Sequence, residues 1–314
     1  MITSELINPD RKHLIIGSIY FTLPLIAFPI YVPFVVAMLH PKNLRLPVYK
    51  IMVILSVSDI LNLFCAGFFP GYACLNGLDY FNSPTFTITT GASSFALWIV
   101  SCFGMCILAF QRCMQMISPH LTHFLFKGNR TWIWLIFPVS LGCSTYFYAP
   151  AYMFSTTFKT FVMNPYIGYS YTTPKQFTNY ILFVYNSTTI IVLLFVYIGF
   201  FVTYITKKKE VGTFNNKSDS TGLRMFFQTF AMCIATFVTA VSFMTETLIE
   251  VTEIITVTGH ISLILSHAFP AFMFLLFNTT LKGTLKKWLF NKKESTAATI
   301  NTKVLIRGTN KLSC

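Results

Sequence analysis

Charged and hydrogen-bonding side chains are scarce in this chain, so the few that interrupt its apolar stretches are the first places to look for chemistry. Asp59 is the only charged residue deep inside such a stretch, in Leu55-Ser56-Val57-Ser58-Asp59-Ile60-Leu61-Asn62-Leu63. A carboxyl group held away from water must be protonated, paired, or hydrated in an internal cavity. It is either a cation or water site that couples helix movements, with Asn62 and Asn278 as polar companions, or a structural carboxyl bonded to Asn or Ser of neighbouring helices. Arg112 closes another stretch, in Leu108-Ala109-Phe110-Gln111-Arg112-Cys113. It either snorkels to lipid phosphates or latches helix ends together, with Gln111, Arg224 and Lys207, Lys208 and Lys209 at the same membrane face. His260 and His267 lie one helical face apart and serve as neutral core histidines or as ligand contacts. Glu246, Glu250 and Glu253, spaced i, i+4, i+7, form one acidic stripe if helical, most simply a solvated helix end. His120 and His123 have no Cys or carboxylate beside them, and no metal site is expected.

The elements that must position these groups are apolar and long. Seven stretches, about 14–39, 49–73, 87–111, 132–154, 180–205, 223–247 and 254–277, approach or exceed the roughly 20 residues needed to cross a hydrocarbon core. With 54% hydrophobic and 11% charged residues and a mean hydropathy of +0.62, the chain could not expose that surface to water. The expected fold is an all-α membrane protein, a bundle of seven transmembrane helices. The first stretch is read as a retained span and not a cleaved signal, because its apolar run is far longer than a signal h-region and no A-x-A site closes it.

Basic residues set the orientation. All but Arg11, Lys12, Lys159 and Lys175 of the 23 Lys and Arg fall in the segments 40–50, 112–131, 206–224 and the tail from 278. Lys and Arg are retained in the cytoplasm, which places the N-terminus outside and the tail inside. Arg11 and Lys12 pull the other way, and the third inner loop with the tail outweighs them. The net charge of +13 is thus a property of the inner face, suited to anionic lipid, and a nucleic-acid partner is discounted. Residues 1–13 form a short outer terminus and 14–290 the bundle. Within it, 281–290 carries Leu281, Leu285, Leu289 and Trp288 on one face beside Lys282, Lys286 and Lys287, a short amphipathic helix on the inner surface. Residues 291–314 are polar and expected to be disordered.

Of the eight cysteines, only Cys74 lies near the outer surface, and the second outer loop, 155–179, offers it no partner. No outer disulfide is expected. That loop is dense in aromatics (Phe158, Phe161, Tyr166, Tyr169, Tyr171, Phe177). It is either a lid over an apolar pocket or an interfacial anchor. No enzyme constellation is present: neither G-x-G-x-x-G, H-E-x-x-H nor G-x-S-x-G occurs, and no second intramembrane carboxylate pairs with Asp59. No cofactor is implied.

Seven spans, an acid in the second, an arginine ending the third and an amphipathic eighth helix resemble the G-protein-coupled receptor plan. The chain departs from the rhodopsin-like pattern: Gln111 stands where an acid precedes the arginine, span six lacks Cys-Trp-x-Pro, and span seven reads Phe269-Pro270-Ala271-Phe272. It is more similar to the nematode serpentine chemoreceptors, class T first and class X as near relative. Tyr49-Lys50-Ile51-Met52, Gly71, Gly77 with Pro84, Trp98, Leu108 to Cys113, Arg130-Thr131-Trp132 with Pro138, Asn164-Pro165, Phe227-Gln228, and His267-Ala268-Phe269-Pro270-Ala271 with Asn278 carry that resemblance in order over about residues 15–290. Asn82 stands where the family often has a Cys.

The resemblance implies a chemosensory receptor of the plasma membrane, in sensory neuron cilia, with a small-molecule ligand and a heterotrimeric G protein as partners. It leaves homo- or hetero-dimerisation open. The ligand would sit in the outer half of the bundle near Trp98, Tyr185, Phe243, His260 and His267. Gln111, Arg112, Arg224, Lys207 and Lys208 would meet the G protein. The alternative is a small-solute transporter or ion channel with Asp59 on the permeation path.

Overall fold

The computed structural model describes residues 11–164, 166, 180–211, 217–249 and 252–288. The tail from 291, most of the outer terminus and Glu250 lie outside these residues. Helix α1 (Arg11–Leu39) is followed by the short α2 (Pro41–Leu44) and by α3 (Pro47–Asn62). A π-helical segment, Leu63–Phe68, joins α3 to α4 (Phe69–Asn76) as one continuous rod. Then come α5 (Pro84–Ile117), α6 (Pro119–Phe126), α7 (Arg130–Tyr148), the strands β1 (Met153–Ser155) and β2 (Thr160–Val162), α8 (Tyr180–Val211), α9 (Lys217–Leu248) and α10 (Glu253–Phe277). Residues 279–288 are helical again, with Leu281 buried and Trp288 exposed.

Six of the described helical rods are long and apolar enough to cross a membrane. The seventh, α7, has 19 residues, still within the spanning range, but its Trp, Tyr, Ser and Thr lower its hydropathy. It ends at Tyr148, short of the expected 154. Ala149 takes an extended conformation (ψ 152°) because it precedes Pro150, whose ring disfavours helical geometry in the residue before it. Pro24, Pro29 and Pro33 all lie inside α1 without ending it, as a packed transmembrane helix allows.

The bundle is turned inside out relative to a water-soluble one. Phe195, Ile198, Phe147 and Leu276 point outward, while Ser56, Asp59, Asn62, Asn186 and Thr189 are buried. With hydrocarbon as solvent, apolar side chains gain nothing by hiding, and polar groups must find partners inside. Helix α5 is the axis of the assembly, packed on α3, α7, α8 and α9, while α10 lies between α9 and α1.

One end of the bundle is closed by β1 and β2, an antiparallel hairpin with Phe154 opposite Phe161. Phe154 is fully buried, with its ring against Phe69 and Phe161. The hairpin is stitched on three sides: His13 to the Thr156 carbonyl at 3.1 Å, the Tyr80 amide to the Phe154 carbonyl at 3.2 Å, and the Thr256 hydroxyl to the Phe158 carbonyl at 3.2 Å. Gly91 makes its approach possible, since a Cβ there would collide with the Tyr152 carbonyl. The hairpin part of the aromatic loop is therefore folded onto the bundle, while Tyr166 stays exposed.

Candidate functional site

Asp59 sits in the last turn of α3, near the middle of the continuous rod Pro47–Asn76, and three side chains from three other helices converge on it. Tyr31 of α1 donates its hydroxyl to Oδ2 at 2.7 Å, Ser101 of α5 donates to Oδ1 at 3.2 Å, and His267 Nδ1 of α10 lies 2.7 Å from Oδ1. Ser101 also reaches Ser58, whose hydroxyl bonds the Leu97 carbonyl. Two hydroxyl donors already serve the carboxyl, so it acts as acceptor and the imidazole donates through Nδ1–H. His267 Nε2 then faces the Asn62 amide at 2.7 Å, while Asn62 Oδ1 is buried with no partner. Turning that amide about its last bond exchanges the two atoms. One setting has Asn62 donating to a neutral imidazole. The other has an imidazolium donating to Oδ1, which makes Asp59 and His267 a neutral ion pair overall. Asp59, Asn62 and His267 are thus one unit.

From His267 the contacts run sideways. The Trp98 ring stands edge-on to His267 at 5.9 Å and to Phe243 of α9 at 5.7 Å, in the T-shaped geometry that aromatic quadrupoles favour. Its indole N–H donates to Asn186 Oδ1 of α8 at 3.0 Å. Tyr185 packs in the same cluster, its ring 5.7 Å from Phe103. Trp98, Phe243, Tyr185 and His267 therefore share one region.

His260 belongs elsewhere, under the hairpin. Its Nε2 meets the Ala66 carbonyl at 2.8 Å and its Nδ1 the Thr160 hydroxyl at 3.1 Å. A carbonyl can only accept, which fixes the proton on Nε2 and leaves Nδ1 to accept from Thr160. The Ala66 carbonyl is free for this because Pro70, four residues on, has no N–H to offer it. Tyr20 lies 4.6 Å from the His260 ring, its hydroxyl buried and unpartnered. Lys159, the one described non-glycine residue with positive φ (53°), turns a buried side chain to Glu253 at 2.8 Å.

The acidic stripe does not form. Helix α9 ends at Leu248 and Glu253 opens α10 behind the Thr252 N-cap, so Glu246 and Glu253 ride on different helices. Glu246 turns inward, its carboxyl against Gly259, where any Cβ would collide with it, and its Oε1 is buried without a partner.

The opposite end of the bundle gathers Arg112, Gln111 and Asn278. Arg112 is only 6% exposed, which rules out snorkelling. Its one hydrogen bond among the described contacts is a long one, Nη1 to Gln115 at 3.5 Å, and Nε is buried with no partner. Arg112 lies more than a turn before the end of α5, where the helix dipole has faded, so little of the burial penalty of several kcal/mol for an unpaired ion is offset that way. Gln111 Oε1 and Gln228 Oε1 are likewise buried and unpartnered. Asn278 is fully buried beside Tyr49, not beside Asp59. Arg224 is exposed, and Lys207 and Lys208 fall in α8 where side chains lie outside the described residues.

Four contributors carried no sequence expectation. Tyr31, Ser101 and Thr160 are ordinary polar residues of spans and loops. Asn186 had a detectable signal, being an asparagine inside an apolar stretch.

Comparison with known proteins gives this arrangement a lineage. The family model described as serpentine type 7TM GPCR chemoreceptor Srt matches residues 3–298. "Serpentine receptor class T-55" of Caenorhabditis elegans is 22% identical over 282 residues, covering 88% of this chain and 75% of that protein. The crystal structure of squid rhodopsin superposes with a TM-score of 0.69 at 14% identity, over 90% of this chain and 86% of that one, a likeness of fold alone. The seven-helix membrane architecture and its sequence thus agree, and the chain belongs to the Srt family of serpentine seven-transmembrane chemoreceptors.

Proposed function

We propose that this receptor takes a small-molecule ligand at the hairpin end of its bundle and signals to a heterotrimeric G protein at the Arg112 end. The observation that carries this reading is the unbroken line from Phe243 through Trp98 and His267 to Asp59. It ties α9, α5, α10 and α3 to one polar centre, with α1 joined through Tyr31 and α8 through Asn186. A ligand that moves Trp98 or Phe243 changes how α9 and α10 sit on α3. Only its differential affinity for the two helix arrangements can shift their populations.

The hairpin end is the outer face in this reading, since Arg112, Lys50, Lys127, Arg130 and Arg224 all lie towards the other end and the positive-inside rule assigns that end to the cytoplasm. The receptor then works in the plasma membrane, of sensory cilia if it follows the family resemblance. A permeation role for Asp59 finds less support, because both carboxylate oxygens are already held by Tyr31, Ser101 and His267.

The test is co-expression with a G protein and a calcium reporter against an odorant panel. Arg112→Ala should abolish ligand-evoked signals while surface expression stays intact. Full signalling by that variant would remove Arg112 from the coupling machinery. Solute flux in proteoliposomes lacking any G protein would favour a transporter instead.

A further inference from the structure

One orphaned group beside the Trp98 cluster has a polarity that cannot change. Trp98 gives its indole N–H to Asn186 Oδ1 at 3.0 Å, and an indole nitrogen can only donate. Turning the amide over would set two donors against each other, so Oδ1 stays with Trp98 and Nδ2 is necessarily a donor. Asn186 is fully buried, and Nδ2 has no acceptor among the described residues. A buried N–H left unpaired is costly, so this position has a standing demand for one acceptor atom.

The surroundings determine what kind of molecule can bring that atom. The buried side chains clustered with Trp98 include Ile99, Cys102, Leu182, Ala240 and Leu263, all of them apolar surface. A buried water needs two to four polar partners, and Asn186 supplies a single free one. An amine would set its own donors and its charge against Nδ2. A carboxylate would find one N–H, too little to offset the loss of its hydration. An alcohol can accept, but it brings a proton of its own, and Asn186 Oδ1 is already engaged by Trp98. Room comes from α8, of whose most apolar stretch only 22% is buried, against 67% in α5. The helix that carries Asn186 is the lightly held wall, and Trp98 on α5 is the fixed one.

We propose that Asn186 Nδ2 is the polar anchor of the ligand site, and that its ligands are neutral, mostly apolar molecules carrying a carbonyl oxygen, such as ketones or esters. The carbonyl accepts from Nδ2 while the hydrocarbon part lies against the aromatic cluster. Trp98 positions the anchor, so recognition is tied to the same ring that stands edge-on to His267 at 5.9 Å. This assignment rests on reading the Trp98 region as the ligand site, and it names the ligand class that the region selects.

Thermal unfolding of the purified full-length protein in detergent tests it, titrated with methyl hexyl ketone and with the alcohol, the amine and the hydrocarbon of the same skeleton. A ligand of the folded form raises the midpoint once its concentration passes its dissociation constant. The ketone should bind roughly three- to tenfold more tightly than octane, and the amine no better than octane. Asn186→Leu combined with Trp98→Phe leaves neither partner of the pair orphaned, and there the ketone and octane should bind alike. Trp98→Phe alone frees the amide to turn, so the gap between ketone and alcohol should close. Equal binding of ketone and octane to the unmodified protein would overturn the proposal. So would an amine that binds best, or a ketone preference that survives in the double variant. A ketone that binds in this pattern yet evokes no G-protein signal would remove the signalling reading and leave the site standing. Odorant-evoked signals with no preference for a carbonyl would do the reverse.

Discussion

Asp59 at the centre of the bundle and Arg112 towards one end are both buried charged groups, and the bundle treats them in opposite ways. Asp59 is surrounded by donors from α1, α5 and α10, and His267 can supply a full countercharge. Arg112 is also buried but, among the described residues, has only a stretched contact to Gln115, with orphaned amide atoms of Gln111 and Asn278 at the same end. A centre whose buried charge is fully partnered holds its helices in one register. An end with valences to spare has something to gain from rearrangement or from a partner. The difference indicates which part of the molecule is scaffold and which part is poised to change.

Three substitutions can break or sharpen that contrast. Asp59→Ala should have the largest effect, because it leaves the imidazole and two buried hydroxyls without an acceptor. Removing one partner of a buried pair costs roughly 3–5 kcal/mol, so the variant should lose most of its folded yield or unfold far earlier on heating. A midpoint close to the unmodified protein would show that the centre is not the scaffold. Arg112→Met should act with the opposite sign. It removes a buried charge whose one hydrogen bond among the described contacts is the long one to Gln115, and stability should rise by roughly 1–3 kcal/mol; a comparable fall would mean that Arg112 is satisfied as it stands. Trp98→Phe should be the mildest. It keeps the ring between His267 and Phe243 but loses the bond to Asn186, for about 1–2 kcal/mol. Its sharper readout is a weakened ligand response, since Asn186 ties α8 to the line.

How much of this was legible beforehand depends on whether a feature is local or assembled. The seven apolar stretches and the one-sided Lys and Arg are local, and six of the helical rods match those stretches closely. The early end of α7 is also local: Pro150 sits inside the apolar stretch 132–154, and the chain bends there into the hairpin. The acidic stripe failed for a similar reason, since Leu248 ends one helix and Thr252 caps the next between Glu246 and Glu253. The centre is different in kind. Asp59 and His267 both stood out as polar groups inside spans, yet 208 positions separate them. Only packing of α10 on α3 brings them within 2.7 Å. Asn278 shows the converse. It shares its chemistry with Asn62 but stands about three helical turns past His267, by the usual 3.6 residues per turn, and belongs to Tyr49.

The π-helical segment at Leu63–Phe68 also bears on how the family can vary. A π turn amounts to one residue more than an α-helix would use over the same rise. Positions on either side of it therefore do not share one helical wheel. Deleting a single residue within 63–68 would let the rod relax to a plain α-helix and swing Phe69–Asn76 by about 100°. Phe69 would leave the hairpin aromatics and the Ala66 carbonyl would leave His260, while Asp59, on the other side, stayed where it is. In related receptors this segment is where a one-residue gap would retune the hairpin end without disturbing the centre.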